Sequence, residues 1–289
     1  MFVLVGTLVV LVSVVGGYLL SHGRLLALWQ PYELLIIGGG AAGAFLAANP
    51  TKIVRATLRD LMGLLKGPAY RRQDYVDLLS LLYDIFSLMR KNGLLSLESH
   101  IEDPATSSVF SAYPRLLADH HLIEFITDCL RLIVGGSMNP HELEQLLEME
   151  LEVHHQETEA PAMALMKSAD ALPGFGIVAA VLGIVTTMSQ LSGDTSRIGE
   201  HIAGALVGTF LGIMLCYGFA GPLASAMESR AQENGKAFEC VKVALMANLR
   251  GYNPMVSVEF ARKSLGEQAR PSFMELEGHL KGARAGGGA

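Results

Sequence analysis

The apolar positions of this chain do not alternate evenly with polar ones; they gather into long uncharged runs. Met1–Leu20, Leu34–Pro50, Ala171–Leu191 and His201–Met227 contain no Asp, Glu, Lys or Arg. About 20 apolar residues are enough to cross a bilayer as a helix. A charged side chain at a helix centre costs about 2.5–3.5 kcal/mol on insertion scales, so each run can insert without a compensating partner. The first run could also be read as a signal peptide. That reading wants a basic start, yet no Lys or Arg precedes Arg24, and the later runs favour an anchored helix.

Between and after these runs the pattern turns helical and amphipathic. In Val76–Arg90, Leu78, Leu81, Leu82, Ile85 and Leu88–Met89 recur near the 3.6-residue period. Gly93 ends that helix and a short one follows over Leu94–Glu98. Arg115–Val134 reads as one helix, stopped by Gly135–Gly136. Asn139–Pro140 is a start signal, from which an acidic helix runs through Glu142, Glu144, Glu148, Glu150, Glu152 and Glu157 into the third run. Glu228–Leu249 extends the fourth run, and the terminal ARAGGGA is expected to be disordered. No internal repeat and no strand run stands out. The fold class is therefore all-α: a polytopic membrane protein with four transmembrane helices and a helical cytoplasmic domain. The expected divisions are 1–50 (first two spans), 51–170 (cytoplasmic domain), 171–227 (last two spans) and 228–289 (cytoplasmic helical tail).

Composition agrees. Of the 289 residues, 51% are hydrophobic and 17% charged, and mean hydropathy is +0.36, whereas soluble domains carry about 25% charged residues. Eleven Lys and Arg lie in 51–170 and nine after Met227, leaving only Arg24 and Arg197 in the short connections. Basic residues stay on the cytoplasmic side. An inner-membrane, multi-pass chain with both termini in the cytoplasm is expected, with Trp29 and Tyr32 as aromatic anchors at the opposite interface. A net charge of −6 argues against a nucleic-acid partner, because phosphate binding needs a basic surface. Cys129, Cys216 and Cys240 are too far apart for a CxxC pair and suggest neither a disulfide framework nor a zinc site.

Several motifs have two readings. Gly38–Gly43 matches G-x-G-x-x-G, with Asp60 about 20 residues on. A dinucleotide site would also need a strand, a turn and a helix around the glycines; close packing of helices through small residues is the plainer account. Gly204, Gly208 and Gly212 in the fourth run, and similarly Gly176, Ala180 and Gly183 in the third, form small-residue stripes. They suit contact within one subunit or with neighbouring subunits and a central partner. Pro173 and Pro222 stand at the cytoplasmic ends of the third and fourth runs, as simple kinks or as hinges. His154–His155 point about 100° apart on a helix and converge poorly on a metal. His201 is expected at the outer end of the fourth run. Arg90 and Glu98 flank a glycine-containing turn and, on charge alone, read as solvated surface.

The third and fourth runs hold hydroxyls (Thr186, Thr187, Ser189, Thr209, Tyr217) but no carboxylate. Transmembrane proton relays use Asp, Glu or His. If ions cross here, the titrating group is expected from another chain.

The order of runs and the local sequence resemble the MotA family of flagellar motor stator subunits, within the wider MotA/TolQ/ExbB proton channel group. The segments that carry the likeness are GTLVVLVSVVGGYL, YVDLLSLLYDIFSLMRKNGLLSLE, SAYPRLLADHHLIEFITDCLRLIVGGSMN, LPGFGIVAAVLGIV, VGTFLGIMLCYGFAGPLA, CVKVALMANLRGYNP and VEFARKSLGEQARPSFMELE. The resemblance implies a non-enzymatic protein without a cofactor. It implies a pentamer around a dimer of a MotB-like single-span protein, which supplies the proton-binding Asp. It further implies that Arg90 and Glu98, with Glu150 in a lesser role, engage the rotor protein FliG, that Pro173 and Pro222 couple ion passage to conformational change, and that Thr209 faces the ion path. Thr186, Thr187 and Met188 fall in the variable outer part of the third span, and the overall match is closest to the proton-coupled branch. An ExbB- or TolQ-like energiser of outer-membrane processes is the alternative; that group has three spans.

Overall fold

The computed structural model describes residues 2–66, 69–136, 138–188 and 195–286. Its elements, in chain order, begin with α1 (Phe2–Leu20), α2 (Leu25–Leu28), α3 (Pro31–Ala48), α4 (Thr51–Gly63) and the 3₁₀ turn Leu64–Lys66. Then come α5 (Arg72–Asn92), the 3₁₀ turn Leu94–Leu97, α6 (Glu98–Glu102), α7 (Pro114–Leu117), α8 (His120–Val134) and α9 (Pro140–Met188). Last are α10 (Thr195–Leu215), a π-helical turn (Cys216–Ala220), α11 (Gly221–Leu249), α12 (Pro254–Ser264) and α13 (Phe273–Gly286). No strand occurs among the described residues.

Three helical stretches among the described residues are long and apolar enough to cross a membrane: Leu25–Ala48, Pro140–Met188 and Ile202–Leu249. Val5–Leu20 is apolar but shorter. The chain divides into two compact units, Met1–Gly67 with Glu157–Ala231, and Pro68–Gln156 with Gln232–Ala289. These divisions differ from those read from charge. Helix α4 and residues 157–170 join the apolar unit, and the Thr57 hydroxyl shows why. It is 3% exposed and donates to the Ile53 and Pro161 carbonyls at 2.9 and 3.3 Å, fastening α4 to α9.

In the first unit the helix starts are set by proline, which has no N–H to lose at the first helical position: Pro31 opens α3. Gly38–Gly43 lies inside α3, not at a strand-to-helix turn. A Cβ at Gly40 would stand 2.5 Å from the Phe175 ring, so this glycine accommodates an aromatic side chain of α9.

In the second unit the buried apolar side chains follow the helical period. Leu78, Leu79, Leu82, Ile85 and Phe86 of α5 pack with Leu122, Ile126 and Leu130 of α8, Leu147 of α9, Val241 and Leu245 of α11, Val258 of α12 and Leu276 of α13. Each large side chain so buried stabilises the fold by about 1.5–3 kcal/mol. The caps are polar. The Asp74 carboxylate accepts from the Arg71 N–H at 2.7 Å and pairs with Arg115 at 2.9 Å. Asn139 accepts from the Glu142 N–H at 2.9 Å, while Glu142 accepts from the Asn139 N–H at 3.1 Å, the reciprocal arrangement of a capping box.

Two expectations change, and a third, the helical tail, gains detail. Arg115–Val134 is two helices, because Asp119 leaves helical geometry and its carboxylate accepts the Leu122 N–H at 3.2 Å, starting α8 afresh. The tail forms α12 and α13, started by Asn253–Pro254 and by Ser272 with Glu275. Of the terminal ARAGGGA, residues 283–286 are helical and 287–289 lie outside the described residues.

Candidate functional site

In the second unit, α5 runs straight from the core to the surface at Arg90. Gly93 then takes φ +83°, a left-handed value that suits glycine, and reverses the chain into the 3₁₀ turn and α6. Arg90 in the last turn of α5 and Glu98 in the first turn of α6 are both exposed. Each sits at the helix end whose dipole favours its charge. Neither makes an ion pair or side-chain hydrogen bond among the described residues, and Leu94 and Leu95 stand exposed between them. Elsewhere in the unit charges are matched: Arg72 with Glu275 at 2.6 Å, Lys242 with Glu148 at 2.9 Å, Arg250 with Glu144 at 2.9 Å, and Arg262 with Glu259 at 2.6 Å.

Glu150 occupies a different place. It lines a groove of about 560 Å³ between α8 and α9, with Asp128, Arg131, Leu132, Leu146, Met149 and Val153. Desolvation, then the Asp128 and Glu124 carboxylates, push the Glu150 carboxyl above its ordinary range. Arg131 bonds Asp128 at 2.5 Å and approaches Glu102 at 3.9 Å, linking the groove to α6, the helix that begins with Glu98.

In the first unit the small residues bring α9 and α10 together. A Cβ at Gly176 would stand 3.0 Å from the Gly208 carbonyl and 3.2 Å from the Gly212 Cα; one at Gly212 would stand 2.7 Å from the Leu172 carbonyl. Gly183 meets Ala205 at 3.1 Å, and Gly208 meets Ala179 at 3.3 Å. Ala179, 1% exposed, stands in this approach, while Ala180 one position on is only half-buried. Gly176, Gly183, Gly208 and Gly212 thus meet neighbours of the same chain. Gly204 and Gly208 have a second role: Gln30 and Glu33 reach into the space they leave, at 3.3 Å from each would-be Cβ.

Thr209 lines an apolar groove of about 640 Å³ with Val10, Val14, Leu206, Phe210, Ile213, Met214, Tyr217 and Gly218. Pro173 lies inside α9 and Pro222 in the first turn of α11. The π-helical turn Cys216–Ala220 ends two residues before Pro222, and the Gly221 N–H donates to the Cys216 carbonyl five residues back. Proline cannot donate to the carbonyl four residues earlier and its ring crowds that carbonyl; a widened turn relieves the crowding.

Sequence reasoning missed three features. Pro161 is buried inside α9 and holds the Thr57 bond; only its place in a helical run could have signalled it. The π turn leaves no periodic signal of its own. The second uncharged run starts at Leu34 and so excludes Glu33, yet α3 begins at Pro31 and includes it. His154 packs on Phe238 with ring centres 4.2 Å apart, and His155 lies 3.1 Å from where a Gly235 Cβ would stand. No three His, Cys, Asp or Glu converge on a metal site among the described residues. The His201 side chain lies outside the described residues.

Comparison with known proteins places these features in a family. The description Motility protein A N-terminal matches residues 4–93, and MotA/TolQ/ExbB proton channel family matches residues 118–240. Motility protein A of Salmonella typhimurium is 46% identical over 284 residues, 98% of this chain and 96% of that protein. Chemotaxis protein LafT of Vibrio parahaemolyticus is 43% identical over 272 residues, 94% of this chain and 95% of that one. Among solved structures, C. jejuni MotAB aligns with a TM-score of 0.74 at 20% identity, covering 94% of this chain and 98% of the other. The flagellar MotAB stator complex of Bacillus subtilis aligns at 0.68 and 24% identity, covering 97% and 98%. These two likenesses speak to the fold.

Proposed function

The chain belongs to the motility protein A family, and on that premise we propose how it turns ion flow into torque as a stator subunit of a flagellar motor. The observation that carries the family role is identity of 46% along 98% of the chain. It favours the stator role over an ExbB- or TolQ-like energiser, and the role is that of a channel and torque subunit rather than an enzyme.

The proposal places the chain in the inner membrane with four spans and both termini in the cytoplasm. The 19 residues of α1 extend about 28 Å at 1.5 Å per residue, close to the ~30 Å hydrocarbon thickness, and 20 of 22 basic residues fall outside the short connections. The partner is a MotB-like single-span protein, the kind of complex named in both structural neighbours. It supplies the proton-binding Asp, since α9 beyond Asp170 and α10 beyond His201 hold no carboxylate. Five copies of the chain surround a dimer of that partner, and Thr209 faces its aspartate. Neutralising that aspartate changes the packing of α9 against α10, and Pro173 and Pro222 pass the change along the helices. At the far end Arg90 and Glu98, with Glu150 in support, engage FliG. Their freedom from internal ion pairs supports this, because an unpaired surface charge is available to an outside one. Exposed pairs contribute about 0–1 kcal/mol each, which suits a contact broken at every step.

The test is charge reversal. Swimming torque is expected to fall in Arg90→Glu and in Glu98→Lys, and to recover in part when the opposing rotor charge is reversed. Unaltered torque in the double reversal would remove these residues from the mechanism.

A further inference from the structure

Glu33 is a part-buried acid of the first unit that the scheme above does not use. Glu33 lies in the first turn of α3, and its Cγ stands 3.3 Å from the would-be Cβ of Gly208. Its Oε2 is buried and has no hydrogen-bond partner among the described residues. Glu33 forms no ion pair among the described residues; Arg24 precedes α2, and Arg197 and Glu200 lie in the first turns of α10 with side chains outside the described residues. Helices α1 and α2, α9 beyond Asp170 and α10 beyond His201 contain no Asp, Glu, Lys, Arg or His, and the only other titratable side chain of α3 is Tyr32, which is 78% exposed. Gln30, which fills the space at Gly204, donates its amide to the Ala27 carbonyl at 3.2 Å.

A carboxylate oxygen shut away from water without a donor is costly, and in native structures such a group calls for a reason. Ionisable residues in membrane segments mark ion and proton pathways. The notch is also built for this side chain: glycine at 204 and 208 is what lets Gln30 and Glu33 lie against α10. Thr209, which lines the apolar groove, follows Gly208 directly along α10.

We propose that Glu33 is a proton-binding group of the membrane unit, taking up a proton at the aromatic-anchored end of α3 and releasing it toward the Thr209 side of α10. The inference rests on the stator reading. Only O–H bonds form and break: the carboxylate takes a proton from hydronium, leaving water, and the acid passes it to the next acceptor, the partner's aspartate. Glu33 thus adds a second titrating site to the path, from this chain rather than from the partner.

The experiment uses the chain with its single-span partner, reconstituted in liposomes under a pH gradient. Glu33→Gln keeps the shape and removes the titration; Glu33→Asp keeps the acid. Proton flux is expected to fall about tenfold or more in Glu33→Gln and to lose one inflection of its pH profile, while Glu33→Asp retains both. Equal flux and an equal profile in Glu33→Gln, with the unsubstituted complex conducting, would overturn the assignment. An infrared titration of the same complex gives a reading independent of flux. Acidification should raise the carbonyl stretch of a protonated carboxyl that Glu33→Gln lacks, or that shifts its midpoint in Glu33→Asp if the Gln variant does not insert. A complex that fails to conduct counts against the stator reading; absence of the Glu33 carbonyl signal counts against this one.

Discussion

The two compact units bury opposite kinds of residue. In the second, the interior is Leu, Ile, Val and Phe at near-zero exposure and the surface charges are largely paired. In the first, the interior approach is Gly176, Ala179, Gly183, Ala205, Gly208 and Gly212, while Val9, Ile177 and Leu206 are 57%, 58% and 67% exposed. The reason is the solvent each unit is built for. Water drives large apolar side chains inward. Lipid does not, so helices there associate through close van der Waals packing of small residues, and large apolar side chains can stay exposed.

That contrast can be broken in three ways. The largest effect belongs to the water-type core. Phe86→Ala should cost about 3–5 kcal/mol, read as a lowered denaturation midpoint of the purified protein in detergent. Next come the helices of the first unit, where the rule inverts. Gly212→Leu adds bulk where a Cβ alone would meet the Leu172 carbonyl at 2.7 Å, and should cost about 1–3 kcal/mol. On α9, Ile177→Ala should stay within about 0.5 kcal/mol in the same melt; a core-sized loss there would mean Ile177 is buried rather than exposed to lipid. The smallest effect is a gain. Glu150 holds its proton more tightly folded than unfolded, because of desolvation and then Asp128 and Glu124. Its ionised form therefore weighs against folding once pH exceeds the raised value. Glu150→Gln should raise the melting temperature slightly at neutral pH, with the gain fading as pH falls below the ordinary carboxylate range. An equal gain at all pH values would trace it to something other than charge.

Much of this was legible in sequence, for stated reasons. Charge-free runs reveal helices that tolerate lipid, and the period of Leu78–Met89 reveals α5, because both are local patterns. Asn139–Pro140 marked the start of α9 because capping chemistry is local too. What failed was either masked by a stronger local pattern or depended on distant partners. Asp119 divides α7 from α8 by capping within a run that looks uniformly amphipathic. Helices α12 and α13 gain their place from the core they cover. Ala179 rather than Ala180 meets Gly208 because the crossing of two helices, not spacing along one, selects the contact face. Glu33 was passed over because it sits just before an uncharged run, and only the helix boundary and the opposing glycines reveal that it is enclosed.

The widened turn at Cys216–Ala220 has a geometric consequence. One residue more per turn sets the side chains on the far side about 100° out of phase with those before it, so a wheel drawn continuously from Ala205 through Ala224 mislabels one half. Excising a single residue within Cys216–Ala220 would realign the two halves and swing Pro222 and everything after it to another azimuth. The surplus residue acts as an angular offset written into the backbone, which a substitution elsewhere in the helix cannot reproduce.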